Sequence, residues 1–436
     1  MTPSESQRNS IAGNAESPNV GVPWLTLSLP LLIAVLIFFF SPNFQVIDGP
    51  RTAPLGGDFL QEWIGATVLS GDQPARLYDT QYVDSMQHDP QVVGFEWPAS
   101  SYFPMVYPPF YYSILRPMAA LDYTTASKLW LGLSALAFSV CGWLMFRFYP
   151  SCRAYIFVYV LAAVFYVPFL NSLIMGQKSV FLLLILLGTF LLLRHQRPFP
   201  AGLVFGLIVF KPHLGLVIGL AMLAKRQWSF AAGAVSVVVS LVAYSWFFQG
   251  GLFIDYLNVV SQMNNYLQTL GYQLEDAHSL WGAVTLTFHA QPPWLSKVFT
   301  LLLSVVIVVL LWRVVGEPVA FNSEAFARQF SAMVVATALL SPHFYGYDLT
   351  ILLLPFLLIL STTNLTRWRE MRDERGIVLL VLVCFGLSGA FVAIGRLIHV
   401  QPSAILLITL LMLLGGIPKR GRVALGSAKE VPSDQR

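Results

Sequence analysis

Residues 201–224 read AGLVFGLIVFKPHLGLVIGLAMLA, with RHQR (194–197) before them and KR (225–226) after. How often this stretch crosses a membrane decides the fold. One straight crossing would put its two basic flanks on opposite sides, although Lys and Arg gather on the cytoplasmic side. A proline inside a helix also removes a backbone hydrogen bond and breaks the rod. The stretch is therefore read as a hairpin turning at Lys211, Pro212 and His213, with both ends cytoplasmic.

The rest of the chain supports a membrane setting. It has 436 residues, 56% hydrophobic and 11% charged, and its mean hydropathy is +0.66. A soluble domain carries about 25% charged residues. So much apolar surface cannot be hidden in a soluble core, and the chain is read as an integral membrane protein. The net charge of +4 sits at the ends of apolar runs, where the positive-inside tendency accounts for it. No nucleic-acid motif is present, so nucleic acid is not an expected partner. Cys141, Cys152 and Cys384 fall in or beside apolar runs and form no CxxC pair. They read as small buried hydrophobes.

A span needs about 20 mostly apolar residues. Candidate spans lie near 23–40, 127–147, 154–170, 174–193, 229–248, 296–312, 327–341, 346–361, 376–396 and 402–417. With the hairpin they predict an all-α polytopic bundle of about twelve crossings, both termini cytoplasmic. Arg147, Arg153, Arg313, RWREMRDER (367–375) and KRGR (419–422) fit the same orientation. The plan is a cytoplasmic tail over 1–22, one membrane domain over 23–417 and a second cytoplasmic tail over 418–436. Two long loops, 41–126 and 249–295, then share the opposite face. The first holds GGDFLQEWIGATVLSG (56–71), read as an amphipathic helix, and YPPFYYSILRPMAAL (107–121), read as a helix dipping into the interface.

Several polar residues stand out against this background. Asp58 can act as a general base at the membrane surface, or simply cap the helix that follows. Glu62 lies one turn on, beside Trp63, and shares its face. Arg76 and Asp79 read as a surface pair. Gln177 and Lys178, in MGQKSVFLLL (175–184), sit at the outer end of a span. Lys178 there can meet a phosphate or snorkel. Lys211 is too deep to snorkel, and a lysine at that depth faces a cavity or a partner. A lipid-linked phosphate with His213 beside it, or a distant acid, would satisfy it. LEDAHSLWGAV (274–284) places His278, Ser279 and Trp281 together, a set suited to sugar hydroxyls and a pyranose face. LLSPHFYGYDL (339–349) offers His343 as a proton acceptor or donor, with Tyr345, Tyr347 and Asp348 around it. His399 with Arg396 is a lesser version. No Walker A, zinc spacing, serine triad or Rossmann pattern appears.

The fragments DFLQEWIGATVLSGDQPARLYD (58–79), YPPFYYSILRPMAAL (107–121), GQKSVFLLLILLGTFLLLR (176–194), AGLVFGLIVFKPHLGLVIGLAMLAKRQW (201–228), HSLWGAV (278–284) and SPHFYGYDLTILLLPFLL (341–358) occur in an order that resembles glycosyltransferase family 87. These are membrane enzymes of the GT-C superfamily, and they include polyprenyl-phosphate-mannose-dependent mannosyltransferases. The resemblance spans roughly residues 25–365. It implies a polyprenyl-phosphate-linked sugar donor, a lipid or glycan acceptor at the extracytoplasmic face of a bacterial-type plasma (inner) membrane, and inversion at the anomeric carbon. It implies that Asp58 matches a critical first-loop aspartate and that His343 is the candidate for a catalytic histidine on a later outer loop. It also aligns Gly176-Gln177, Lys211-Pro212 and the Ser279-Leu280-Gly282 element with family motifs. Family members often carry Tyr in place of Glu62-Trp63 and Asn-Gln in place of Ala277-His278. The expectation is therefore a hexose or pentose transferase with the sugar unnamed.

Together these readings make Asp58 or His343 the catalytic base. Lys211, Lys178 and His213 would bind the donor phosphate. Glu62, Trp63, Gln177, His278, Ser279, Trp281 and Tyr347 would bind substrate. No cofactor is called for. No DxD motif argues for a metal, although a single-carboxylate metal contact at Asp58 stays open. A flippase for a lipid-linked sugar shares the spans and Lys211. It would call for broken helices in matching halves, and only one such segment is evident.

Overall fold

In the computed structural model, residues 25–40, 44–48, 51–54, 56–97, 102–262, 273–363 and 375–416 are described. The expectations for 1–22, for the basic stretches 367–374 and 419–422, and for the tail 418–436 lie outside the described residues. The described chain is helical apart from one antiparallel pair of short strands, Phe44–Asp48 and Arg51–Pro54. That pair is an exception to the expected all-α fold.

Three described helices are long and apolar enough to cross a membrane: Tyr123–Phe148, Trp228–Gln249 and Pro293–Val315. Two bent pairs raise the number to five if each counts as one span. The segment expected as a span over 154–170 bends by 46° between Pro150–Phe165 and Val167–Ile174. The one expected over 376–396 turns by 88° between Arg375–Gly386 and Phe391–Ile398, so it is not a straight rod. The remaining apolar helices have 10–17 residues. A crossing of 30 Å takes about 20 residues at 1.5 Å each. The chain is a helical membrane protein.

The hairpin is visible in the packing. Helix Pro198–Gly206 and a tighter turn over Leu207–Phe210 are followed by helix Pro212–Ala224, with Lys211 in non-helical geometry (φ −129°, ψ 68°) between them. A Cβ on Gly215 would stand 2.6 Å from Ile208 Cγ2, and one on Gly219 would stand 3.7 Å from Phe205 Cε1. In one continuous helix, residues 205 and 219 would be about 21 Å apart. The chain folds back at Lys211.

This fold-back gives the bundle two chemically different ends. At one end Lys225 Nζ donates to the carbonyls of Val315 (2.7 Å) and Glu317 (2.9 Å) and to Gln329 Oε1 (2.9 Å). Arg194 reaches Glu324 at 3.5 Å, and Tyr149 donates to the same carboxylate at 2.6 Å. At the other end lie Lys211, Ser179 and Asp348, which hydrogen-bond together.

The first loop is a folded layer with its own core. Its helix, Phe59–Ser70, reads as amphipathic from its sequence, but ten of its twelve residues are buried. Phe59, Leu60, Trp63 and Ile64 pack against Tyr107, Phe110, Tyr112, Tyr123 and Trp130. Burying each such large side chain contributes about 1.5–3 kcal/mol. The second piece forms helix Pro109–Leu115 and a turn over Arg116–Ala120. It holds the loop helix through Trp63, whose Nε1 donates to the carbonyls of Met118 (3.2 Å) and Leu121 (3.1 Å).

Candidate active site

A backbone clamp fixes Asp58. The amides of Gly56 and Asp58 donate to the carbonyls of Ile174 (3.1 Å) and Met175 (3.2 Å). The facing turn needs Gly176, which sits at φ +60°, where a side chain is strained. A Cβ there would also meet Gly56 O at 2.5 Å. Trp130 Nε1 donates to Gly176 O at 2.8 Å and closes the clamp. The start of the loop helix is thereby pinned beside Gln177 and Lys178.

The side chains sort into two buried pairs and one remainder. Lys178 bonds to Glu62. Tyr111 donates to the other Glu62 oxygen at 2.5 Å. The Lys178 ammonium also lies 4.1 Å over the Tyr107 ring, which suits a cation in a low-dielectric site. Lys211 Nζ lies 3.0 Å from Asp348 Oδ1, which also accepts from Ser179 Oγ at 2.8 Å. Each lysine has its own acid, so neither pair strands a buried charge.

Asp58 is the third acid of this group of three acids and two lysines. No cation lies within ion-pair distance of it among the described residues. Its carboxylate accepts instead from the Gln177 amide, and it makes no helix-capping hydrogen bond. It stays half-buried while Glu62, Lys178 and Asp348 are enclosed. Burial pushes its carboxyl up from 3.8 to about 6, against the pull of Lys178 and Lys211 and with help from Glu62 and Asp348.

Two imidazoles and an indole adjoin this group. The rings of His213 and His343 are 6.1 Å apart, and those of His343 and Trp281 are 6.3 Å apart. Lys211 Nζ lies 5.2 Å over the Tyr347 ring. His213, Trp281, His343 and Tyr347 are all half-buried. His343 Nδ1 has no hydrogen-bond partner among the described residues. Burial holds its imidazole below the usual value, which leaves it neutral at pH 7.

The structure thus gathers Asp58, Glu62, Gln177, Lys178, Lys211, His213, His343 and Tyr347 at one end of the bundle. Glu62, Trp63 and Lys178 are enclosed in packing there. His278 lies behind this layer, with its Nδ1 2.8 Å from Ser403 Oγ and its backbone N–H on Phe344 O at 2.7 Å. Ser279 is buried and caps helix Leu280–Thr287 by accepting from Gly282 N at 3.3 Å. Arg76 and Asp79 pair at 2.8 Å on the surface. Sequence reasoning missed Tyr107 and Tyr111, and it left Asp348 and Ser179 without a role. The need of a deep lysine for a counter-charge was a signal for Asp348. Among the described residues no three His, Cys, Asp or Glu side chains converge as a metal-binding group.

Arranged so, the half-open carboxylate can take a proton from a hydroxyl, and the neutral imidazole can give or accept a hydrogen bond. Comparison with known proteins bears on what that serves. No curated protein and no solved structure matches the chain. The model for glycosyltransferase family 87 matches residues 105–342. That stretch includes Tyr111, Lys178, Lys211 and Trp281, and it is more than half of the 436 residues. The chain belongs to glycosyltransferase family 87.

Proposed function

We propose that this glycosyltransferase moves a hexose or pentose from a polyprenyl-phosphate donor to a lipid or glycan acceptor, with inversion, using Asp58 as base. The proposal includes a GT-C-type bundle of about twelve crossings in a bacterial-type plasma membrane, with cytoplasmic termini and the Asp58 end extracytoplasmic. One observation carries the choice of base. Asp58 is the carboxylate left over when Glu62 has taken Lys178 and Asp348 has taken Lys211. An acid tied to a lysine is a poor proton acceptor. An unpaired one raised to about 6 accepts a proton and is still ionised at neutral pH.

In the proposed reaction the acceptor hydroxyl loses its proton to Asp58. Its oxygen attacks the anomeric carbon opposite the phosphate, and the bond to the phosphate oxygen breaks. Lys211 is the cation nearest the accessible groups, and its remaining N–H bonds would meet the charge on the departing phosphate. His343, neutral and with a free ring nitrogen, would hydrogen-bond the phosphate or the acceptor. Trp281 and Tyr347 would face the sugar. The enclosed pair Lys178–Glu62 would hold the floor rather than touch substrate.

Purified protein in detergent, given a panel of polyprenyl-phosphate sugars and a lipid extract, tests this. Transfer by the native chain and its loss in Asp58→Asn is the expected result. Equal transfer by Asp58→Asn would move the base to His343. No donor consumed, with lipid-linked sugar crossing vesicles instead, would favour a flippase.

A further inference from the structure

A second site lies at the far end of the loop helix, roughly 16 Å from Asp58 at 1.5 Å per residue. There a cleft of about 420 Å³ is lined by Leu69, Arg116, Phe248, Gln249, Leu252 and Asp255, among others. Its size suits a small ligand or head group. Its chemistry is unusual in three respects. Arg116 has one long hydrogen bond, Nε to Ser70 Oγ at 3.4 Å, and no acid within ion-pair distance among the described residues. Asp255 has no cation at that distance either, although both charges line the same cleft. Gln249 uses its amide N–H on Ser113 and on Pro109 O, while its Oε1 is enclosed with no donor among the described residues.

The surroundings place the cleft at a lipid boundary. Phe247 and Phe248, at the end of the long helix Trp228–Gln249, are 77% and 78% exposed. Ile114, Trp246, Ile254 and Leu257 are exposed nearby. Trp and Tyr mark the head-group level of a bilayer, and Tyr244 and Trp246 are exposed on the last turns of the same helix. A ligand here needs an anion for Arg116, a cation with N–H bonds for the Asp255 carboxylate, and apolar tails for the exposed aromatics. Phosphate with a primary ammonium meets the polar demands.

We propose that this cleft binds the head group of an amino-phospholipid. Arg116 takes the phosphate diester, Asp255 takes the ammonium, and the acyl chains run over Phe247 and Phe248. A choline head carries no N–H to donate to the Asp255 carboxylate. A glycerol head leaves Asp255 without a cation.

Native mass spectrometry of the full chain in detergent tests the proposal. The protein is given equal amounts of phosphatidylethanolamine, phosphatidylcholine and phosphatidylglycerol with the same acyl chains. Phosphatidylethanolamine should be retained about threefold to tenfold over the other two. Asp255→Asn should erase its lead over phosphatidylcholine, and Arg116→Gln should weaken both. Both side chains are exposed, so the variants should keep the fold. Equal retention of all three lipids by the native chain, or an undiminished preference in Asp255→Asn, would overturn the proposal. Soluble glycerophosphoethanolamine should bind far more weakly. Equal binding of it would overturn the lipid as the source.

Discussion

The two ends of the bundle handle charge in opposite ways. At the Lys225 end, cations sit at the rim and rest mainly on backbone carbonyls: Lys225 on Val315 and Glu317, Arg194 on Ser323 O at 3.2 Å. At the Asp58 end, Lys178 and Lys211 are enclosed and each rests on a carboxylate. Rim cations satisfied by carbonyls complement the helix dipole and can set orientation. Enclosed pairs cost desolvation and hold only if their geometry is good. Charge placed at that cost, next to an acid with no ion-pair partner among the described residues, fits the proposed chemistry.

The largest test of this contrast is Asp58→Asn. It should lower the transfer rate by about 10²–10⁴-fold, the usual worth of a general base, with an unchanged elution profile. It should also leave the fold at least as stable at pH 8. The folded carboxyl is raised from 3.8 to about 6, so Asp58 favours the fold below about 4 and loses that contribution as pH rises through about 6.

Breaking an enclosed pair comes next. Lys178→Met strands Glu62 in the interior and should cost about 3–5 kcal/mol in stability. Adding Glu62→Leu should return much of it, because two apolar side chains leave no buried charge. A double variant as unstable as the single one would mean that the pair is not isolated.

The pH profile is the third test. A base at about 6 predicts a rate that falls about tenfold per unit below that value and levels off above it. A profile flat from pH 5 to 8 would remove Asp58 from the role. The smallest effect belongs to the other end. Lys225→Ala should cost about 1 kcal/mol in thermal stability, from lost bonds to carbonyls, and leave the transfer rate as it was. A loss of rate there would join the two ends functionally.

Much of the candidate site was legible along the chain, and its partnerships were not. Asp58, Lys211 and His343 stood out because polar groups beside long apolar runs are rare. The family match covers residues 105–342, so it reaches neither Asp58 nor His343. Those two rest on their own chemistry and their place in the fold. By residue type alone Asp58 read first as a helix cap, and only the absence of a capping bond and the Gln177 contact tell the two readings apart. The loop helix read as amphipathic because Gln61, Glu62 and Thr67 punctuate it. It is buried because Tyr107, Tyr111 and Tyr112, some fifty residues away, supply a second apolar wall and a hydroxyl for Glu62.

The sequence by itself determined the membrane setting and the fold-back at Lys211. Hydropathy, proline and charge at span ends act locally, and they leave their mark in neighbouring residues. Tertiary structure alone decided which acid meets which lysine. Glu62 and Lys178 are 116 residues apart, and Lys211 and Asp348 are 137 apart. Nothing in either stretch encodes the other. A counter-charge is demanded by burial, but its identity comes from the packing that brings distant helix ends to within 3 Å.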